Sequence, residues 1–194
     1  FSWSFPQLFQ RFVEAFAQLD ASRPELRCGW VSVFCVDQHA ATKYDAVDWA
    51  ESFEDLVQGL GCTVLLFSPW DGAVPLTRLW CLWELFVTAK AGAELVVLVP
   101  SADEVAFAAA LRDNSGAAMF SAIDSSAATA REPVASMIRN VLHKCGGYGV
   151  VDDVVKGALL AWLGARAHDS IAALDQVVTR RSRSEHEIVL LRLN

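Results

Sequence analysis

Apolar positions recur at helical spacing at the start of the chain and then close up into short unbroken runs. Leu8, Phe9, Phe12, Val13, Phe16 and Leu19 form one stripe at three- and four-residue intervals, and Pro6 suits a first helical turn. Residues 5–19 are therefore expected to form a helix. Gly29 opens Trp30-Val31-Ser32-Val33-Phe34-Cys35-Val36, a nearly continuous apolar run typical of a strand buried on both faces. The polar stretch Asp37 to Tyr44 reads as a loop. A helix is expected from about Asp48 to Gly59, with Trp49, Phe53, Leu56, Val57 and Leu60 as its inner face, and Gly61 ends it. Cys62 to Phe67 is a second buried strand.

Proline and glycine make Ser68 to Pro75 a loop, after which Thr77 is placed to cap a helix running to about Lys90, before Ala91-Gly92. Glu94 to Val99 is the third buried strand. Ser101 followed by Glu104 is a capping-box signature for a helix to about Arg112. Residues 113–120 read as loop and Phe120 to Ile123 as a short edge strand. Helices are expected at about 129–144, 152–166 and 168–179, with Gly146, Gly147 and Gly149 as C-cap and turn. Residues 187–193 have the pattern of a closing strand.

Buried strands alternating with amphipathic helices imply an α/β fold: a mostly parallel sheet with helices on both faces, plus a C-terminal helical extension. The division expected is 1–125 for the α/β domain and 126–194 for the extension. Ligands of such sheets gather beyond the carboxyl ends of the strands, here the loops after Val36, Phe67 and Val99.

Composition narrows the function classes. With 54% hydrophobic and 20% charged residues among 194, the chain is no disordered segment and buries a sizeable core without staples. A net charge of −7, with Arg180, Arg181 and Arg183 as the one basic cluster, argues against nucleic acid as a partner. No apolar run approaches the roughly 20 residues of a membrane span. Five cysteines without CxxC spacing, four of them in apolar runs, point to a reducing, cytoplasmic-type compartment. The chain begins at Phe1 without a methionine, which leaves open a targeting segment ahead of it.

Three clusters carry candidate chemistry. On a helix, Trp80 and Trp83 lie about 40° and 100° from Glu84, so this carboxylate sits at the margin of an indole-rich face. Desolvation there favours acid or base work near neutral pH; the structural alternative is pairing with Arg78 or Lys90, or capping of a backbone group. Asp37-Gln38-His39 follows a buried strand and offers either an acid/base pair or a solvated loop. In Ser68-Pro69-Trp70-Asp71 the indole either stacks on an aromatic ligand or plugs the loop against the core. No Gly-rich phosphate loop follows a strand, and no serine occupies a nucleophile elbow. The histidines His39, His143, His168 and His186 lack i, i+4 pairing, so no metal site is expected.

Phe67-Ser68 through Trp80-Cys81-Leu82-Trp83-Glu84-Leu85 resembles the signature of Toll/interleukin-1 receptor (TIR) domains. There a strand ending in serine leads to a helix bearing Trp-Cys-Leu-x-Glu-Leu. The stretch is more similar still to a TIR-like group of algae and other protists, with matches at Trp30, Phe34, Gln38, His39, Ser68, Pro69, Trp70, Asp71, Arg78 and Trp80 to Glu84. Ser32 departs from the aspartate of that group. The resemblance covers roughly residues 1–165 and implies a flavodoxin-like sheet whose first strand would precede Phe1, with residues 187–193 as the alternative occupant of its place. It also implies signalling through protein partners or self-association. Enzymatic members cleave the nicotinamide–ribose bond of NAD⁺, which would make Glu84 catalytic and NAD⁺ a substrate, with no further cofactor. Trp70, Trp80, Asp37, Gln38, His39 and Ser68 would then be substrate-binding, with loop 37–47 gating the site.

Overall fold

The computed structural model describes residues 9–26, 29–31, 46–72, 74–112, 120, 123–132 and 134–166. In chain order the elements are α1 (Phe9–Ser22), α2 (Ala46–Leu60), β1 (Cys62–Leu66), a 3-10 turn (Val74–Thr77), α3 (Leu79–Lys90), β2 (Glu94–Leu98), α4 (Ser101–Arg112), α5 (Val134–Lys144) and α6 (148–166). The chain divides into two units, Phe1–Ala158 and Leu159–Asn194. In the second unit, the guanidinium of Arg166 lies 5.8 Å from the centre of the Trp162 ring.

Strands β1 and β2 pair in parallel, in register from Cys62 with Glu94 to Leu66 with Leu98. A parallel pair needs a long connection, and here it carries α3. One face of this strand pair presents Val64, Leu66 and Leu98, which pack on Ala15 and Leu19 of α1. On the opposite side α3 packs against both strands, and α2 and α5 pack against α3 and each other. The architecture is α/β, with helices on both faces of a parallel pair.

Nine of the twelve residues of α3 are buried. A sequence apolar all round, Leu-Trp-Cys-Leu-Trp-Glu-Leu-Phe-Val, makes a helix surrounded by protein rather than an amphipathic one. Its start is not capped by Thr77, whose hydroxyl bonds back to the Val74 carbonyl at 2.9 Å. Arg78 is the N-cap, without a side-chain cap. The segment at Thr129 holds this entrance instead: Leu79 N–H donates to Thr129 O at 3.0 Å, and Thr129 N–H to Thr77 O at 2.9 Å. At the other end Ala93 N–H reaches back to Thr88 O at 3.0 Å, with Gly92 at φ 66°, where a side chain would be strained.

Several expectations need correcting. Helix α1 reaches Ser22, and its buried stripe is Phe12, Ala15 and Leu19, while Val13 and Phe16 are 49% and 43% exposed. Leu60 is exposed at the end of α2. Strand β2 is buried only in its second half. Phe120 is helical rather than extended, which removes the expected edge strand at that residue. Helix α5 starts at Val134 because Thr129 is held in its bridge to Arg78, and α6 starts at 148, taking in Gly149. Residues 1–8, 32–36, 168–179 and 187–193 lie outside the described residues, as does the side chain of Trp49.

The surface holds a charge cluster with a predictable acid response. The guanidinium of Arg23 bonds both carboxylate oxygens of Glu94 at 2.8 Å and also pairs with Glu25. These bonds hold Glu94 and Glu25 below the usual carboxylate range. A carboxyl whose folded pKa is depressed stabilises the fold above its unfolded pKa and loses that contribution as pH falls through the folded value. Urea stability is therefore expected to decline below about pH 5, and Arg23→Met should make the decline shallower. An unchanged slope in the variant would show that the cluster contributes nothing.

Candidate functional site

Glu84 stands in the middle of α3 and is 4% exposed. One helical turn before it, Trp80 donates its indole Nε1–H to Glu84 Oε1 at 2.6 Å. The i, i+4 spacing that brings indole and carboxylate together is visible in the sequence. Trp80 in turn meets the edge of Phe53 from α2, with ring centres 6.0 Å apart, and Phe53 meets Trp30 at 5.8 Å. Three aromatic rings thus run from segment 29–31 through α2 to the carboxylate.

Lys90 binds Glu54 at 2.8 Å, and Arg78 forms the N-cap of α3.

A second buried polar link joins α3 to β1. The hydroxyls of Thr88 and Thr63 share a hydrogen bond of 2.7 Å, and Thr88 Oγ1 lies 2.6 Å from the Glu84 carbonyl. Both threonines are buried. Thr63 is the one hydroxyl in an otherwise apolar strand, a signal the hydrophobic pattern alone passes over.

Thr63 and Glu84 border a cavity of about 90 Å³ between α1, α2, segment 29–31 and the first half of β1. Its deeper wall includes Phe53, Thr63 and Glu84, and its outer wall includes Phe16, Asp20 and Leu60. Cys62 also lines it, but burial, reinforced by Glu94, pushes its thiol pKa up and disfavours the nucleophilic thiolate. The cavity touches Cys62, Thr63 and Val64, toward the amino end of β1 rather than the carboxyl end.

The other described candidates lie elsewhere. Ser68, just beyond the carboxyl end of β1, is fully buried and accepts a bond from Arg11 Nη1 at 2.8 Å. Asp103 of α4 completes this group, 3.2 Å from the same nitrogen and 3.4 Å from the Ser68 hydroxyl. Trp70 meets Phe107 edge-on, with ring centres 5.9 Å apart, and Phe107 also meets Phe67. The structure thus brings Trp80 to Glu84 and places Ser68 and Trp70 beside α4. Asp37, Gln38 and His39 lie outside the described residues. Among the described residues no group of three His, Cys, Asp or Glu side chains could hold a metal ion, and no helix is long and apolar enough to cross a membrane.

No protein-family model, curated protein or solved structure matches the chain.

Proposed function

We propose that this chain is a TIR-like interaction module that works by protein–protein association, with Glu84 organising the interior. The observation that carries this reading is the seclusion of Glu84: a 4% exposed carboxylate bonded to Trp80, beside a cavity of only about 90 Å³. Flavodoxin-like topology is part of the proposal, supported by the parallel pair with helices on both faces. So is a reducing compartment, supported by Cys81 packed as a small apolar side chain in the core.

The surface for association is the outer side of α4. Ala102, Val105, Ala106 and Ala109 are exposed there at i, i+3, i+4 and i+7, with Val105 80% exposed. An outward apolar stripe on a charged protein is a contact surface in waiting. Val105→Lys is expected to lower the weight-average mass in sedimentation at high concentration. A mass that does not rise with concentration in the wild type would rule out self-association.

The alternative is an NAD⁺ nucleosidase, favoured by the place of Glu84 and Thr63 on a cavity wall. Incubation with NAD⁺ separates the two. The expected result is no nicotinamide above buffer for wild type or Glu84→Ala. Release by wild type that disappears in Glu84→Ala would overturn the module reading in favour of the enzyme.

A further inference from the structure

We infer that residues 123–129 form a clasp through which the start of α6 controls whether the first turn of α3, and with it the Trp80–Glu84 bond, stays closed. This coupling holds whether or not the domain acts by association.

The clasp is anchored first at α6. Ser125 is fully buried, its N–H donates to Asp152 Oδ1 at 2.9 Å, and its hydroxyl donates to the Tyr148 carbonyl at 3.3 Å. Both partners lie in the first two turns of α6. Without them a buried hydroxyl and a buried N–H would be left unpaired, so the segment keeps its seat only while α6 presents these acceptors. Between its ends the segment has a fixed shape. The Asp124 carboxylate accepts bonds from the N–H and the hydroxyl of Ser126 and from the Ala127 N–H, at 3.0, 2.6 and 3.2 Å. These bonds fold the stretch into one turn, and Ile123 and Ala128 are buried on either side of it. Such a turn shifts as a piece and passes a displacement on.

The far end of the clasp is Thr129, at the entrance of α3. Besides the two backbone bonds with Leu79 and Thr77, the Thr129 hydroxyl donates to Thr77 O at 3.3 Å. The first N–H groups of a helix have no partner within it, and Arg78 supplies no side-chain cap. Leu79 therefore takes its acceptor from the clasp. Trp80, the next residue, is the donor to Glu84 Oε1. Loss of the Ser125 anchor loosens Thr129, Leu79 loses its acceptor, and the fraying turn carries the indole away from the carboxylate.

The test follows hydrogen exchange of the full chain by NMR in wild type, Asp152→Ala and Asp152→Asn. In Asp152→Ala the amides of Ser125, Thr129 and Leu79 and the indole Nε1–H of Trp80 should exchange roughly tenfold faster or more, because a hydrogen bond to a charged group is lost. Asparagine keeps an acceptor oxygen in the side chain, so Asp152→Asn should restore most of the protection. The amides of Ala91 and Ala93, bonded at the other end of α3, should keep their wild-type rates. Ser125→Ala removes only the bond to Tyr148; it should give the same pattern at about threefold and decides the matter if Asp152→Ala does not fold. Faster exchange at Ser125 with Leu79 or the Trp80 indole unchanged would overturn the proposal, since the two ends would then open independently. Equal acceleration at Ala91 and Ala93 would overturn it too, because the whole fold would have loosened.

Discussion

Trp83→Ala is expected to destabilise the protein by about 3–5 kcal/mol, the largest effect of any single substitution considered for this fold. Trp83 is 2% exposed and packs its ring on Phe86 at 5.8 Å, inside a helix surrounded by α2, α5 and both strands. Truncation removes the transfer free energy of an indole and leaves a void that rigid neighbours on several sides cannot collapse into. In a domain of this size each kcal/mol moves the melting temperature by about 2–4 °C, so a fall of about 6–20 °C should be seen. Val105→Ala, on the exposed side of α4, is the control and should stay within about 0.5 kcal/mol. Equal effects for the two would show that α3 is not enclosed.

The second large effect is non-additive. Thr88→Val leaves the buried Thr63 hydroxyl without its 2.7 Å partner, which should cost about 1–3 kcal/mol in urea unfolding. Thr63→Val does the same to Thr88, less severely, because Thr88 keeps the Glu84 carbonyl. The double substitution should be less destabilising than the sum of the two, since replacing both partners by isosteric methyl groups removes the orphaned hydroxyl. Strictly additive values would mean that the two hydroxyls do not act as a pair.

The reach of the sequence can be judged from particular elements. The apolar run Cys62 to Phe67 and the period of α2 were legible because burial on both faces or on one leaves a direct pattern. The buried stripe of α1 was not. Val13 and Phe16 continue the apolar spacing, and only the packing of Ala15 and Leu19 on Val64, Leu66 and Leu98 decides which part of the stripe faces inward. Thr77 looked like a cap because local capping rules know nothing of Thr129, more than fifty residues away, which holds the entrance of α3. At the site, the Trp80–Glu84 contact follows from helical spacing. The Thr63–Thr88 link and the cavity depend on tertiary neighbours that no local pattern contains.

The parallel pairing of β1 with β2 has a consequence for the newly made chain. Cys62–Leu66 leaves the ribosome well before Glu94–Leu98, and no hairpin can pair them locally. Until the second strand arrives, the oily helix between them has only one of its two described strands to pack on. Synthesis therefore passes through a stage in which its leucines and tryptophans are open to solvent, so nascent chains are most prone to clump, and most in need of a chaperone, at that point.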